Sequence, residues 1–323
     1  MTSSTKPTKA ATLRRHLRES RPLVSPGVYD CYSAKLAERA GFKSAATTGS
    51  GLSNALLGQP DIGIFGLRDN VDACRHIARS VSIPLMADAD TGYGNAVTVH
   101  FVVQYFEEAG IVGINIEDQL IPKRCGHMRG KELVDTREMV AKIVAAQKAR
   151  RDPDFVINAR TDALAVEGIE GTLARVREYV AAGADMIYPD AIRNEDDIER
   201  VIEVARDVPV NINMGFGIRS RPTTPLIPLS RLKAMGVARV SLPRFMTSAA
   251  LSGMQKAIDV LKQTIETGEA VDRPDLQASM ETITGLFDYE TVAELESELL
   301  DDQELDRRYG DGAREYVIKG SRA

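Results

Sequence analysis

The chain has 323 residues, 43% hydrophobic and 27% charged, as in soluble globular proteins with one large barrel or two ordinary domains. The formal net charge of −5 argues against a nucleic-acid partner, and no apolar run approaches the roughly 20 residues that a membrane-crossing helix needs. Cys31, Cys74 and Cys125 lack the spacing of a disulfide framework or a zinc site, which favours a reducing, cytoplasmic compartment.

The N-terminal residues contain Ser, Thr, Lys and Pro without the apolar core of a signal peptide. We predict a disordered tail over residues 1–12 and a main folded domain over residues 13–272. A C-terminal helical extension is predicted over residues 273–323, because the strand pattern stops after Phe245. Helices near this end are predicted over residues 249–267, 275–284 and 291–300.

Between these ends, short apolar runs alternate with longer amphipathic stretches. Strands are predicted over residues 23–27, 44–48, 84–88, 112–116, 155–159, 186–189, 208–213 and 237–242. Each run is apolar on both faces, which is typical of a parallel sheet that is covered on both sides. Helices are predicted between them over residues 33–40, 68–80, 97–109, 136–151, 169–182, 195–205 and 229–235. Gly41, Gly110 and Gly183 follow three of these helices as expected left-handed caps.

Eight alternating strands and helices predict an α/β fold, the (β/α)8 TIM barrel, with a doubly wound sheet as the alternative. Polar residues at the ends of many different strands favour the barrel, whose active sites collect side chains in this way. They are Asp30, Ser50, Asp88, Glu117, Arg160, Asp190, Asn213 and Arg244.

The segment from Asp88 to Asn95 contains two carboxylates, Asp88 and Asp90, followed by two glycines. Such oxygen ligands on a closely approaching backbone suit a hard divalent cation such as Mg2+, although a solvated turn gives the same pattern. Glu117 and Asp118 end the next strand and strengthen the case for a cation, since clustered acids repel without one. Asp61 is a further candidate, with a helix or turn cap as its alternative role.

Cys125 lies on a predicted loop among Lys123, Arg124 and His127, where cations favour formation of a thiolate. Gly126 would let this loop close as a lid. The cationic residues could equally be solvated surface charges.

Arg160 follows a strand and can hold a substrate carboxylate bidentately, or form a salt bridge with Asp162. Asp190 and Asn213 are hydrogen-bonding groups at later strand ends, or turn residues.

Five segments in this order resemble the isocitrate lyase/phosphoenolpyruvate mutase superfamily, and within it the methylisocitrate lyase and 2,3-dimethylmalate lyase branch. They are residues 48–52, 88–94, 116–119, 123–127 and 158–163. The resemblance implies a (β/α)8 barrel whose eighth helix is exchanged between neighbours, in a homotetramer that is a dimer of dimers.

The resemblance also implies roles for individual residues. Asp88 and Asp90 would hold Mg2+, for which Mn2+ can substitute, with Asp61 and Glu117 joining through water. Cys125 would be the general acid and base, with Lys123 and His127 as further catalytic residues. The carboxylate substrate would be bound by Ser50, Gly51, Leu52, Gly126, Arg160, Asp190, Asn213 and Arg244.

The function expected from this resemblance is Mg2+-dependent cleavage of a carbon–carbon bond in a 2-hydroxy di- or tricarboxylate, giving pyruvate or glyoxylate. Methylisocitrate lyases carry glutamate where Asp190 stands, and another residue near Arg244, which favours a substituted malate such as 2,3-dimethylmalate, or oxaloacetate. The alternatives are an oxaloacetate hydrolase or decarboxylase, a phosphonate P–C bond enzyme and a non-catalytic scaffold.

Overall fold

The computed structural model describes residues 7–126, 128–216 and 223–309. Every predicted strand is present in this part of the chain, shifted by at most three residues at its ends. The strands are β1 (Leu23–Val28), β2 (Ala45–Thr47), β3 (Leu85–Asp88), β4 (Gly113–Glu117), β5 (Val156–Thr161), β6 (Met186–Pro189), β7 (Asn211–Asn213) and β8 (Arg239–Leu242).

The strands form one parallel sheet in the order β6-β5-β4-β3-β2-β1-β8-β7. A parallel bridge between Ile187 and Val210 joins β6 to the segment before β7, and the Ile187 N–H donates to the Pro209 carbonyl at 2.9 Å. The sheet therefore closes into a barrel, as predicted, and the doubly wound alternative is excluded because an open sheet would leave these two edges apart.

Helices follow the strands in alternation, and the predicted ones between strands are confirmed. The helices are α1 (Lys9–Glu19), α2 (Cys31–Arg39), α3 (Gly49–Leu52), α4 (Leu67–Ser80), α5 (Ala96–Glu108), α6 (Thr136–Ala149), α7 (Gly168–Ala181), α8 (Glu195–Ala205), α9 (Leu229–Met235), α10 (Phe245–Thr267), α11 (Met280–Leu286), α12 (Tyr289–Leu299) and α13 (Asp302–Tyr309). The glycine caps are confirmed, with φ of +84° at Gly41, +86° at Gly110 and +91° at Gly183. Among the described helices, none is long and apolar enough to span a membrane.

Helix α1 corrects the expectation of a disordered tail at residues 9–12, which form its first turn. The Thr8 hydroxyl caps the helix by accepting the Ala11 N–H at 3.1 Å. Leu13 and Leu17 are buried in a cluster with the first residues of several strands, among them Leu23 and Met86. This apolar helix face, which the sequence reading missed, closes the N-terminal end of the barrel.

Replacing Leu13 by alanine is expected to lower the free energy of unfolding by about 2–5 kcal/mol, because the side chain is fully buried beneath the barrel. Chemical denaturation monitored by circular dichroism measures the loss. Arg18→Ala on the exposed face of the same helix is the matched control and should change stability little. Equal effects of the two substitutions would contradict the packing of α1 under the barrel.

The chain divides into two compact units, residues up to Ser248 and residues from Ala249. The predicted boundary between residues 272 and 273 lies inside the second unit. Helix α10 has no buried residue, and α11 begins later than predicted, where the Ser279 hydroxyl accepts the Thr282 N–H at 3.2 Å.

Candidate active site

A cavity of about 60 Å³ opens at the carboxyl ends of the barrel strands. Its lining includes most of the predicted site residues, which come from separate strand ends and loops as in other barrels. These residues are Ser50, Asp61, Asp88, Lys123, Cys125, Gly126, Arg160, Asp190, Asn213 and Arg244. Asp90 and Glu117 are buried beside it, Gly51 and Leu52 are buried in α3 without lining it, and His127 lies outside the described residues.

Lys123 lies at the centre of the acidic cluster. Its Nζ atom is 2.5 Å from Oδ1 of Asp61 and 2.7 Å from Oδ1 of Asp90. Burial opposes the charge on Lys123, but Asp90, Glu117 and other carboxylates outweigh it and raise the pKa of Lys123 well above its usual value. The ammonium is therefore held protonated and offsets part of the negative charge.

Two of the clustered acids, Asp90 and Glu117, have raised pKa values in spite of the nearby cations. Burial raises the pKa of Asp90 to about 6, against the opposing charge of Lys123. Burial also raises the pKa of Glu117 well above its usual value, against the charge of Arg160. Burial is the main cause of both shifts, because it disfavours the charged form of a carboxyl group.

Asp88 is the acid in this cluster with no cationic side chain as partner among the described residues. Its Oδ2 accepts the Gly49 N–H at 3.1 Å, and its Oδ1 accepts the Asp90 N–H at 3.3 Å. The donor set of four carboxylates suits a hard cation such as Mg2+ in its chemistry. Within the described residues, no three His, Cys, Asp or Glu side chains are arranged to hold a metal by themselves, so water and substrate oxygens would have to complete its coordination.

Asp118 does not join the acidic cluster, although it follows Glu117 directly. Successive side chains of a strand point to opposite faces, so Glu117 and Asp118 face different sides of the barrel wall. Asp118 Oδ2 accepts the Tyr179 hydroxyl and the Thr161 hydroxyl, each at 2.7 Å. Asp118 is therefore removed from the candidate metal ligands, and Glu117 stays a predicted one.

Arg160 is engaged by protein carboxylates. Its Nε and Nη2 donate to the two oxygens of Asp162 at 2.8 and 3.0 Å, which confirms the salt bridge considered from the sequence. The same guanidinium lies 3.3 Å from Oε2 of Glu117 and 3.3 Å from Oδ2 of Asp190. These contacts engage Nε and Nη2, so that Nη1 is the nitrogen left for a substrate carboxylate among the described contacts.

Cys125 lies on a loop that several hydrogen bonds hold in place. The Gln119 side chain pairs with the backbone of Arg124 through two bonds of 2.9 Å, and Lys131 Nζ donates to the Gly126 carbonyl at 2.7 Å. Nη2 of Arg244 donates to Sγ of Cys125 at 3.3 Å. The thiol therefore faces the cavity beside the guanidinium of Arg244, which follows the last strand of the barrel.

Gly126→Ala is expected to reduce activity about a hundredfold, because a Cβ there would overlap Oδ2 of Asp190 and lie 2.6 Å from Nη2 of Arg160. The neighbouring Cys125 would move with the loop, away from its position against the substrate. Steady-state kinetics measure the loss. Gly253→Ala, where the added Cβ meets nothing within 4 Å, is the matched control. Full activity of the Gly126 variant would contradict this loop position.

Lys131 and Tyr188 are site residues that the sequence reading missed. Lys131 pairs with Asp162 at 2.7 Å, and Arg160 stacks over the Tyr188 ring at 5.2 Å. Burial would raise the pKa of Asp162, but Arg160 and Lys131 lower it below its usual value. Tyr188 stands two residues before Asp190 on the same strand face, which was a usable signal, whereas nothing local to Lys131 indicated its partner.

The geometry agrees with comparisons to known proteins. A family model described as phosphoenolpyruvate phosphomutase matches residues 13–262, and a solved superfamily member shares the fold along nearly its whole length. The chain belongs to the PEP mutase/isocitrate lyase superfamily. Its sequence is 37% identical to 2,3-dimethylmalate lyase of Eubacterium barkeri, covering 89% of this chain and 96% of that protein. It is also 37% identical to 2-methylisocitrate lyase of Shewanella oneidensis, covering 85% and 91%.

Solved structures of this superfamily give the same result. The 2,3-dimethylmalate lyase structure has a TM-score of 0.82 at 33% identity, covering 91% of this chain and 96% of that one. Oxaloacetate acetylhydrolase with 3,3-difluorooxalacetate has a TM-score of 0.81 at 31% identity, covering 90% and 97%. Phosphonopyruvate hydrolase with oxalate and Mg2+ has a TM-score of 0.78 at 31% identity, covering 91% and 100%. The lyases among these relatives support a carbon–carbon lyase activity for this superfamily member.

Proposed function

We propose that this enzyme is a Mg2+-dependent lyase that cleaves the C2–C3 bond of a 2-hydroxy dicarboxylate of the substituted malate type, giving pyruvate or glyoxylate and a second carboxylate. One observation carries the proposal: the cavity brings Asp88, a carboxylate without a cationic partner among the described residues, together with the Cys125 thiol and Arg244. These are the groups that such a reaction needs at one place.

Asp88 and Asp90 would hold the ion, with Asp61 and Glu117 joining through water and Mn2+ as a substitute for Mg2+. When bound, the ion would polarise the hydroxyl and carboxylate oxygens of the substrate as a Lewis acid. The ion pairs of Lys123 with Asp61 and Asp90 support this site, because they show that the clustered carboxylates bind positive charge between them. Lys123 would then stabilise the negative charge that develops on the hydroxyl oxygen.

In the cleavage direction the hydroxyl oxygen of the substrate gives its proton to one of the clustered carboxylates and becomes the carbonyl oxygen of the keto acid. The electrons of the C2–C3 bond pass to the leaving fragment, which departs as an enediolate. Cys125 protonates the carbon of that fragment from Sγ, and in the reverse direction its thiolate removes the proton. The ordered loop around Cys125 would exclude water from the intermediate, and His127 stays a predicted catalytic residue.

The charges in the cavity favour a dicarboxylate over a tricarboxylate. Ser50, Gly51 and Leu52 would contact the carboxylate of the keto-acid half, with Asn213 as a hydrogen-bonding group. Arg244 would bind the second carboxylate, because its partner at the cavity is a thiol and not an acid. Arg160 is already paired with Asp162 and Asp190, and Arg239, which also lines the cavity, is buried on its floor. A third carboxylate at the cavity mouth would therefore have no free cation among the described residues. This distribution favours substituted malates over methylisocitrate.

The test is a panel of acids incubated with the purified enzyme and Mg2+, followed by keto-acid release or loss. The panel contains 2,3-dimethylmalate, citramalate, 2-methylisocitrate, isocitrate, oxaloacetate and phosphonopyruvate. Turnover of a substituted malate, with no turnover after EDTA treatment, is the expected result. Turnover of 2-methylisocitrate alone would support a lyase but contradict the preference for a dicarboxylate that the cavity charges predict. No turnover of any hydroxy acid would overturn the proposal.

Consumption of oxaloacetate alone would identify a hydrolase or decarboxylase, the second candidate. The likeness to oxaloacetate acetylhydrolase favours this candidate over the others, because the same acids and Arg244 could hold a keto acid. A phosphonate P–C bond enzyme would instead consume phosphonopyruvate. Cys125 beside Arg244 argues against that reaction, which does not require a thiol acid.

We also propose a homotetramer, arranged as a dimer of dimers, acting in the cytoplasm. Apolar side chains on α10 are exposed in the single chain, as expected of a helix that packs on a neighbour. They are Leu251, Met254, Ile258, Leu261 and Ile265. Light scattering after size exclusion should give four times the chain mass of 35.2 kDa, and a monomer would contradict the exchange of this helix.

A further inference from the structure

A charged side chain lies on the floor of the cavity, inside the barrel and apart from the groups assigned above. Arg239, the first residue of β8, is 1% exposed and lines the cavity. Its Nε donates to Ser25 Oγ at 3.1 Å, and its Nη1 donates to Asn211 Oδ1 at 3.1 Å. Both acceptors are neutral, so neither offsets the charge of the guanidinium.

No described carboxylate compensates Arg239 either, since it forms no ion pair within the part of the chain that the structure covers. Its Nη2 atom is buried and has no hydrogen-bond partner there. Burial lowers the pKa of Arg239 to about 10, so that the group is still charged at neutral pH. A buried guanidinium without a counter-charge is strongly unfavourable, and most buried charges in proteins are paired.

The surroundings of Arg239 are open to the cavity and closed below it. The apolar cluster of α1 with Leu23, Met86 and Met186 seals the N-terminal end of the barrel. Above that cluster the barrel interior is polar, with Asn158 donating to Asn115 at 2.7 Å and Asn211 donating to Ser241 at 3.2 Å. Barrel interiors are more often filled by Val, Ile and Leu, so a polar floor is an unusual feature.

We propose that the floor of the cavity is a binding site for one small monoanion, held by Arg239. A single guanidinium calls for a single negative charge, and a cavity of about 60 Å³ suits a group of the size of chloride or of one carboxylate. Water can satisfy the free Nη2 and the unpartnered oxygen of Asn158, but it does not neutralise the charge. The anion reaches the floor through the cavity mouth, and this site does not depend on the proposed lyase reaction.

The first test is thermal unfolding of the full chain with bromide as the probe. Bromide replaces gluconate, a bulky anion, so that the ionic strength stays constant. Bromide should raise the melting temperature in a saturable way, by about 2–4 °C at ten times the dissociation constant. Arg239→Met should abolish this rise, and Arg239→Lys, which keeps the charge, should retain part of it. Arg231→Met, which removes an exposed arginine paired with Glu195, should respond to bromide like the unaltered chain.

The second test is diffraction from crystals of the unaltered chain grown or soaked in bromide, which remains decisive if the Arg239 variants do not fold. An anomalous peak next to Nη2 of Arg239 is the expected result. Only water at that place, together with equal melting temperatures in bromide and gluconate, would overturn the proposal.

The source of the anion is resolved by adding formate or L-malate. Displacement of bromide by formate and by malate would mean that the floor takes a carboxylate of the bound acid. Displacement by formate alone would mean a separate small ion.

Discussion

Cys125→Ser is expected to lower the turnover number for keto-acid release by about 10²–10⁴-fold and to leave KM nearly unchanged. A hydroxyl is a far weaker acid than a thiol, so serine cannot protonate the departing carbanion efficiently, although it fills almost the same space. Arg244 would still hold the second carboxylate, which is why binding should survive. Steady-state kinetics with the substrate found in the acid panel measure both parameters.

Cys31→Ser is the matched control, because Cys31 is a half-buried thiol that begins α2 and does not line the cavity. Its kinetics should equal those of the unaltered enzyme. Cys74 is a poorer control, since it is fully buried, and burial raises the pKa of its thiol to about 12. Full turnover in the Cys125 variant would contradict its role as general acid and would indicate another group of the same loop.

The position of the site was predictable because it depends on strand ends. Each strand of the barrel was recognisable as a short run that is apolar on both faces, and parallel strands bring their carboxyl ends to one rim. Asp88, Arg160 and Asn213 could therefore be placed together from the sequence although 125 positions separate the first from the last. The alternation of side chains along a strand also places Glu117 and Asp118 on opposite faces, but the sequence reading treated both as metal candidates.

Pairings between distant side chains were not predictable in this way. Lys131 stands in a loop, and nothing near it in sequence indicates a contact with Asp162. Arg239 likewise looks like an ordinary strand-start residue, and its buried charge becomes apparent only once Ser25 and Asn211 are known to be its neighbours. Helix α1 was missed for another reason: its first residues were assigned to the polar tail, although Ala10, Leu13 and Leu17 have the spacing of an apolar helix face.

Asp88→Asn is expected to abolish the effect of Mg2+ on thermal stability and to lower turnover by several orders of magnitude. An ion that binds only the folded chain raises its melting temperature by mass action, and that rise disappears with the ligand. Asparagine keeps an oxygen that can accept the Gly49 N–H, so the fold should remain intact. Removing the Lewis acid costs several kcal/mol of transition-state stabilisation, which corresponds to a loss of about 10²–10⁴-fold.

Asp72→Asn is the control, because Asp72 is a half-buried acid on α4 that pairs with Arg75 and does not line the cavity. It should keep both the Mg2+ response and the activity. A scaffold protein would show no Mg2+ response in the unaltered chain, since its acids would be offset by Lys123 and Arg160 alone. A response that survives in the Asp88 variant but is lost in Asp61→Asn would instead place the ion beside Lys123. The two variants therefore distinguish an ion held by Asp88 from one held by Asp61, whose carboxylate already pairs with the ammonium of Lys123.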